Sequence, residues 1–408
     1  MRLIRLPAIY FMLAGIVFAA ADTHYVSLTG TNNSPYTNWA GAATNIEWAV
    51  NAATALDTVL ISNGTYCLTN RILVTNSITI RSFSDNYANV VISGNSTTRC
   101  FRVEETAGSA VIKSLTISNG WVSSSDGGAG IVMFAGTVTN CYFTGNKYCL
   151  YGSGVRQLGG LVTDCLFEKN SSARYGCVYV EATASRVKNC RFIANTNNSS
   201  AYSTLTIRAG SAENCLVISN YGNGVEFTGA FPGTLTYSEV RNNTSDGIYL
   251  GSDVTGSTVK NCLIVSNGTR GVEVYKYGIV ENCTIAGNPN GIVASGADVV
   301  NAQFRNTIIW NNTTTNWSAD QGKASFTNCC TTPPVTNGTG NIDAPPLFQN
   351  AAAGNFRLTG PSSCINAGIN QNWMTNAVDL DGRIRIRYGA VDMGAYEGIY
   401  EGTIYRIP

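Results

Sequence analysis

One short phrase recurs through the middle of this sequence and restricts the fold more than any other feature. It takes the forms NCYFTGN (140–146), DCLFEKN (164–170), NCRFIAN (189–195), NCLVISN (214–220), YSEVRNN (237–243), NCLIVSN (261–267), NCTIAGN (282–288) and NTIIWNN (306–312). Its cysteines recur at intervals of 24, 25, 25, 47 and 21 residues, and the interval of 47 is two steps with Ser238 in the missing place. A framework of disulfides rarely keeps one period, whereas a stack of equivalent inward positions does. We therefore assign the following residues to an inward ladder: Cys141, Cys165, Cys190, Cys215, Cys262 and Cys283.

A second phrase, a Gly followed by an alternating strand, lies between the copies of the first. Its forms are GIVMF, GVRQL, GCVYV, GVEFT, GIYLG, GVEVY and GIVAS. Each unit of about 24 residues thus holds two or three short strands with period-two alternation, separated by polar turns. Such a unit cannot bury a core alone, so neighbouring units must stack in parallel at ~4.8 Å with equal positions in register.

The Asn that ends the first phrase is expected to lie at a turn. Asn tolerates a left-handed backbone, and its amide can bond turn backbone or the Asn of the next coil. Low charge (12%) and 42 glycines also suit short strands joined by tight turns. The predicted turn residues are Asn119, Asn146, Asn170, Asn195, Asn220, Asn243, Asn267, Asn288 and Asn312.

Two other repeat folds fit this pattern less well. A leucine-rich repeat needs a helix or a Leu-rich segment in its second half, where this sequence has another strand, and a propeller blade needs a longer unit of four antiparallel strands. Over roughly residues 57–330 the repeats resemble those of the pectin-lyase-like superfamily. The predicted fold is therefore all-β: a single-stranded right-handed parallel β-helix, or solenoid.

The N-terminal region is predicted to direct export and then to cover one end of the core. Arg2 and Arg5 precede an apolar stretch and a run of alanines, which favours a signal peptide over residues 1–21 rather than a membrane anchor. In residues 22–56 we expect a strand and a short capping helix started by Thr44 or Asn45. Its apolar face would comprise Ile46, Ala49, Val50 and Ala53.

The composition changes after the repeats, at a Pro- and Gly-rich connection over residues 331–348. The motifs PLF, FRL, SCINAG, DLDG and DMGAYE that follow resemble the choice-of-anchor Q domain of bacterial surface β-helix proteins. Residues 331–408 are thus expected to form a small β module, and the protein to be secreted or held at a bacterial cell surface. The DLDG segment (379–382) matches part of a calcium loop, but a plain turn is the favoured interpretation.

Several kinds of chemistry are excluded by the residues present. The single His, His24, rules out a Ser-His-Asp triad or a His-rich metal site, and no CxxC or phosphate-binding motif occurs. A net charge of +1 gives no reason to expect nucleic acid or an anionic membrane as partner. Cys329 and Cys330 are expected to point to opposite sides of a strand end rather than to pair.

What remains is the outer face of the Gly-bounded strands. The residues predicted to point outward from coil to coil are Val132, Arg156, Tyr179, Thr206, Glu226, Tyr249, Glu273 and Val293. A second outward row comprises Phe134, Leu158, Glu181, Arg208, Thr228, Gly251 and Tyr275. Aromatic rings beside charged groups are suited to binding sugars, whose ring faces stack and whose hydroxyls need hydrogen bonds. A solvated face of alternating charge explains the same pattern without any function.

The superfamily resemblance implies two enzyme classes as alternatives to binding. Lyases of the superfamily use calcium with an Arg or Lys base, and its hydrolases use a pair of carboxylates. In this sequence Glu226 and Glu273 could form such a pair, because they would lie two coils or ~10 Å apart. Predicted catalytic residues are Glu226, Glu273, Glu181 and Arg208; predicted substrate contacts are Arg156, Tyr179, Tyr249 and Tyr275. No metal ligands are predicted, and calcium is expected only for a lyase. Polysaccharide binding is the leading hypothesis, a lyase or inverting glycoside hydrolase the second, and a self-assembling fibre the third.

Overall fold

A computed structural model describes residues 20–123, 126–320, 322–336 and 338–398. These residues form a parallel β-solenoid of about 11 turns, as the repeats predict. Each repeating coil contributes one strand to each of three parallel sheets, here called walls 1, 2 and 3. Most of the predicted signal peptide lies outside the described residues, and among those described no helix is long and apolar enough to cross a membrane.

Wall 1 has 13 strands. They are β1 (Thr23–Val26), β2 (Thr58–Ile61), β5 (Thr79–Ser82), β8 (Val111–Lys113), β11 (Thr137–Thr139), β14 (Leu161–Thr163), β18 (Arg186–Lys188), β22 (Gly210–Glu213), β25 (Gly233–Thr236), β28 (Thr258–Lys260), β31 (Tyr277–Glu281), β34 (Asn301–Arg305) and β37 (Ala324–Thr327).

Wall 2 has 11 strands and contains the Gly-bounded phrases. They are β4 (Ile72–Val74), β7 (Phe101–Val103), β10 (Ile131–Met133), β13 (Val155–Gln157), β17 (Tyr175–Val180), β21 (Ser203–Ile207), β24 (Asn223–Phe227), β27 (Ile248–Leu250), β30 (Arg270–Val274), β33 (Asn290–Ala294) and β36 (Thr315–Ala319).

Wall 3 has 12 strands and contains the apolar part of the Asn-Cys phrases. They are β3 (Gly64–Cys67), β6 (Val90–Ser93), β9 (Thr116–Ser118), β12 (Tyr142–Thr144), β15 (Leu166–Glu168), β19 (Arg191–Ile193), β23 (Leu216–Ile218), β26 (Glu239–Arg241), β29 (Leu263–Val265), β32 (Thr284–Ala286), β35 (Ile308–Trp310) and β38 (Cys330–Thr331). Outside the walls lie the paired strands β16 (Ser171–Ser172) and β20 (Thr196–Asn197), the hairpin β39 (Phe348–Asn350) and β40 (Asn355–Leu358), and 3-10 turns at Tyr87–Asn89, Ala351–Ala353 and Asn372–Met374.

The cysteine ladder is confirmed as an inward row of free, buried thiols. Each of its six thiols donates to the carbonyl two residues earlier, for example Cys165 Sγ to Thr163 O at 3.1 Å. Beside it the rings of Phe143, Phe167 and Phe192 stack from coil to coil with centroids 4.5 and 4.9 Å apart. The cysteines therefore recur with one period because they occupy the same inward position of successive coils.

The asparagines that end the phrases form a second inward ladder. Oδ1 of Asn195 accepts both the backbone N–H and the Nδ2–H of Asn170, each at 3.0 Å, and this pattern repeats along the stack. The predicted amide contact between coils is confirmed, but the predicted left-handed backbone is wrong for these residues, Asn119 excepted. Two other positions of each phrase are left-handed. One is the first residue, as in Asn140, where the chain turns from wall 1 into wall 3, and the other is the residue just before the final Asn, as in Lys169 and Ser219.

The helix expected near the N-terminus is present as α1 (Ile46–Ala52). Asn45 starts it by accepting the Glu47 N–H on its side-chain oxygen at 2.8 Å, and α1 buries Ile46, Ala49 and Val50. It packs against β1, β2 and β4, the first strands of walls 1 and 2.

The segment after the repeats packs on the side of the solenoid, against the last coils of wall 3. Glu239 and Arg241 hold the outward positions of β26, whereas apolar residues hold the same positions in the next coil and are covered by residues of the segment. The covered residues are Leu263, Val265, Ala286, Ile308 and Cys330; the covering residues include Phe356, Leu358, Cys364, Met393 and Tyr396.

Polar contacts fix the same segment to the corner residues of the solenoid. The buried guanidinium of Arg385 donates to Asn261 Oδ1 at 2.9 Å through Nε and pairs with Glu397 at 2.9 Å. In the DLDG segment, the Asp379 carboxylate accepts the backbone N–H groups of Asp381, Arg383 and Glu397 at 2.7 to 2.9 Å. The Asp379 carboxylate thus holds residues 379–382 in a plain turn.

Candidate functional site

The outward row of wall 2 lies in the register that the sequence predicts. Val132 pairs with Arg156, Arg156 with Tyr179, Tyr179 with Thr206, and so on through Glu226, Tyr249, Glu273 and Val293. In most coils a Gly precedes this row and allows close approach of the next coil: a Cβ at Gly247 would lie 2.7 Å from Gly271 O. One face of wall 2 therefore presents every predicted site residue except those of the second row.

In the first half of this face the charged residues pair with one another. Arg156 Nε lies 2.8 Å from Glu181 Oε2, and Arg208 Nη1 lies 3.8 Å from Glu181 Oε1. The Arg156 guanidinium also lies 5.0 Å from the centre of the Tyr151 ring. The catalytic role predicted for Glu181 and Arg208 stays a prediction, and the geometry observed is that of a salt-bridge network.

Tyr179 is covered by two neighbouring aromatic rings. The rings of Tyr151 and Tyr175 lie 5.0 and 5.5 Å from it, and only 4% of Tyr179 is exposed. Tyr151 and Tyr175 are themselves stacked at 5.1 Å, in segments that fold over the outer face of wall 2. Burial raises the pKa of Tyr179, and its ring packs against protein rather than facing solvent.

The second half of the face opens into a cleft of about 330 Å³. Asn223, Asp246, Tyr249, Arg270 and Glu273 line it, with residues 200–201 on one rim. We call this set the wall 2 cleft. Two of the eight predicted site residues, Tyr249 and Glu273, line this cleft. The other three, Asn223, Asp246 and Arg270, are polar residues that each stand directly before the Gly of a wall 2 strand.

Asp246 is the residue of this cleft that sequence reasoning missed. It is buried, and Arg270 Nη1 lies 3.1 Å from its Oδ2 while Thr269 Oγ1 donates to its Oδ1. Its backbone N–H donates to Asn223 Oδ1 at 3.0 Å. The sequence contained one signal for it, since Asp246 is acidic where the equivalent positions of other coils hold Asn223, Arg270 or Asn290. An Asp-Gly pair is also typical of an ordinary turn, so this signal did not stand out.

Glu273 is held beside Asp246 and Arg270. Arg270 Nη1 lies 2.6 Å from Glu273 Oε2 and 3.1 Å from Asp246 Oδ2, so it brings the two carboxyl groups together. Burial raises the pKa of Glu273 to about 7; the charge of Arg270 opposes this effect and the carboxylate of Asp246 adds to it. At neutral pH this carboxyl group is therefore able both to donate and to accept a proton.

Glu226 lies two coils before Glu273, behind the edge of the cleft. Its Oε2 accepts a hydrogen bond from Ser203 Oγ at 3.0 Å, and Ser203 Oγ also lies 2.7 Å from Thr206 Oγ1. Burial raises the pKa of Glu226 to about 7, against the lowering effects of the Ser203 hydrogen bond and the Arg174 charge. Tyr249 stands between the two glutamates, and burial, then their charges, raise its pKa to about 12.

Tyr275, the last predicted contact, lies outside the cleft. It is 39% exposed, and its hydroxyl donates to Asp298 Oδ2 at 2.8 Å.

The described residues do not provide a calcium site. No group of three or more His, Cys, Asp or Glu side chains in that part of the chain is placed to hold a metal ion. Within the cleft the two carboxyl groups already bind the Arg270 guanidinium, which repels a cation.

Comparison with known proteins agrees with the fold. Residues 162–313 match the family model described as a right handed beta helix region. Similar solved structures include pectate lyase Pel9A (14% identity, 93% of this chain and 98% of that chain, TM-score 0.45). Others are a PL6 alginate lyase in complex with a trisaccharide (15%, 73% and 76%, 0.47) and the A-module of Azotobacter vinelandii mannuronan C-5 epimerase AlgE4 (15%, 73% and 95%, 0.37). No curated protein matches the sequence. Residues 162–313 thus match a right-handed β-helix region, and the described residues form a parallel β-solenoid with three walls.

Proposed function

We propose that this is an exported polysaccharide-binding protein and that a glycan chain binds in the wall 2 cleft. The observation that carries the proposal is the meeting of one aromatic ring, Tyr249, with the amide of Asn223 and the charged groups of Asp246, Arg270 and Glu273 in one open cleft. Sugars are bound by this combination, because their apolar faces stack on rings while their hydroxyls need donors and acceptors.

The shape of the wall favours a polymer over a small ligand. Successive coils repeat at ~4.8 Å along a straight axis, so the binding groups form a row rather than an enclosed pocket. Asn223, Asp246 and Arg270 come from three successive coils at equivalent positions. An extended chain of repeating sugar units is the ligand class that such a row fits.

The flanking regions complete the proposal. Residues 1–21 act as a signal peptide, residues 22–56 cover the start of the β-helix, residues 57–330 form it, and residues 331–408 are a choice-of-anchor Q-like module. The sequence resemblance to the pectin-lyase-like superfamily and to bacterial surface proteins supports this assignment. The protein is then secreted or retained at a bacterial cell surface.

Glycoside hydrolysis is the second candidate, and one observation favours it. Glu226 and Glu273 both have a pKa raised to about 7, and they flank Tyr249 at a backbone separation of ~10 Å, close to that of an inverting pair. Protonated Glu226 would donate its proton to the glycosidic oxygen. Glu273, whose ionised form Arg270 stabilises, would take a proton from the attacking water. The lyase alternative has less support, because the described residues do not fit calcium.

A glycan array probed with the full chain, followed by product analysis on each bound polymer, tests the proposal. Binding that is kept in Glu226→Gln with no new reducing ends supports a binding protein. New reducing ends that disappear in both Glu226→Gln and Glu273→Gln support hydrolysis, and products with 4,5-unsaturated ends support a lyase. A protein that binds no glycan on the array contradicts all three.

A further inference from the structure

Two buried cysteines meet where the C-terminal segment packs on the solenoid. Cys330 is in β38, the last strand of wall 3, and Cys364 is in the segment that covers that wall. Neither side chain is exposed, and both belong to one apolar cluster with Ile308, Leu358 and Met393. The proximity of the Cys364 thiol, together with burial, raises the pKa of Cys330, whose Sγ donates to Ala344 O at 3.3 Å. Cys329, the residue before Cys330, points to the other side of the strand and lies in the main core.

We propose that Cys330 and Cys364 form a disulfide that joins the solenoid to its C-terminal segment. The proposal rests on this contact and not on glycan binding. Two thiols lose two protons and two electrons, one sulfur–sulfur bond forms, and a disulfide oxidant such as glutathione disulfide is reduced to two thiols in exchange. Exchange takes place during folding, before the segment covers Cys330.

The ladder cysteines differ from this pair in geometry, although their thiols are also in contact. Cys165, for example, stands between Cys141 and Cys190 in the stack, and burial together with these neighbouring thiols raises its pKa. Their strands are paired in register, so parallel side-chain directions keep the Cβ atoms about 4.8 Å apart, beyond the roughly 3.5–4.5 Å of a disulfide. Cys330 and Cys364 belong to segments that are not paired with each other in a strand register, and no such spacing is imposed on them.

The bond would strengthen a contact that already relies on buried polar groups. Arg385, Glu397 and Asn261 connect the segment to the solenoid through hydrogen bonds that must be broken together when it detaches. A covalent link closing the loop from 330 to 364 keeps the segment near its site after such an opening. Rebinding of the segment is then intramolecular.

Refolding of the full chain from denaturant in glutathione redox buffer, followed by alkylation of free thiols and tryptic mass spectrometry, tests the proposal. Trypsin cleaves after Arg357, so Cys330 and Cys364 fall in separate peptides, 324–357 and 358–383. We expect these two peptides as one disulfide-linked species in the wild type. It should persist in Cys329→Ser, which assigns it to Cys330, and in Cys67→Ser, which removes the exposed thiol.

Two results would overturn the proposal: alkylation of both Cys330 and Cys364 in refolded wild type, or loss of the linked species in Cys329→Ser protein that folds. The wild-type spectrum decides the question by itself if a variant fails to fold.

Discussion

Asp246 and Glu273 lie one coil apart on wall 2 and share one cation, since Arg270 Nη1 is 3.1 Å from Asp246 Oδ2 and 2.6 Å from Glu273 Oε2. Burial raises the pKa of Glu273, and the nearby carboxylate of Asp246 adds to this effect. Two carboxylates this close repel when both are ionised, and Arg270 is the group that offsets that repulsion. The protonation of the wall 2 cleft therefore depends on one guanidinium.

Replacement of Arg270 is expected to raise the pKa of Glu273 further. Loss of a cation in contact with a carboxylate removes an effect of about one to three pKa units, so Arg270→Gln should hold the proton on Glu273 well above neutral pH. Carbon NMR of the side-chain carboxyl, assigned with Glu273→Gln, measures this value. A midpoint that is the same in the wild type and Arg270→Gln would show that the ion pair does not control the site.

The buried carboxyl of Glu226 is expected to make stability fall as pH rises. Its pKa is about 7 in the folded protein against an ordinary value of 4.5, so between these values the native state binds a proton that the unfolded chain releases. Glu226→Gln carries no charge at any pH. Relative to this variant, the wild type should lose about 2 kcal/mol of unfolding free energy between pH 5 and pH 8.

Denaturant unfolding of both proteins at the two pH values checks this expectation, and pH 5 serves as the internal reference because Glu226 is then largely protonated. A difference between the two proteins that does not change with pH would mean that Glu226 is solvated in the native state.

The asparagine ladder is expected to be a major source of stability. Asn220 accepts the backbone and side-chain N–H groups of Asn195 and donates to Phe192 O, all within the core. Asn220→Ala leaves several buried groups without partners and should cost about 3 kcal/mol. The exposed Asn198 provides a matched control, and Asn198→Ala should change stability by less than about 0.5 kcal/mol. Equal losses in the two variants, measured by denaturant unfolding, would refute the ladder as a source of stability.

Repetition explains which structural features the sequence could predict. Each coil repeats the Gly and Cys positions, so the register from Arg156 to Glu273 and the inward thiols follow from the pattern alone. The left-handed turn was assigned to the wrong Asn because both asparagines of each phrase recur with the same period, and period alone does not separate an inward position from a corner.

The parts that do not repeat escaped prediction. Tyr151 precedes β13 and Tyr175 is the first residue of β17, and nothing in their spacing shows that their rings pack on Tyr179. Asp246 reads as a turn residue until Arg270 and Glu273 are seen beside it.

The central claim is that Tyr249 and its polar neighbours form the glycan-binding surface, and calorimetric titration with a glycan selected on the array tests it most directly. Tyr249→Ala removes the ring within the wall 2 cleft, whereas Tyr275→Ala removes a ring of the same strand face outside it. We predict that Tyr249→Ala weakens binding about tenfold or more, while Tyr275→Ala changes it by less than about twofold. Equal affinity of the wild type and Tyr249→Ala would contradict the account.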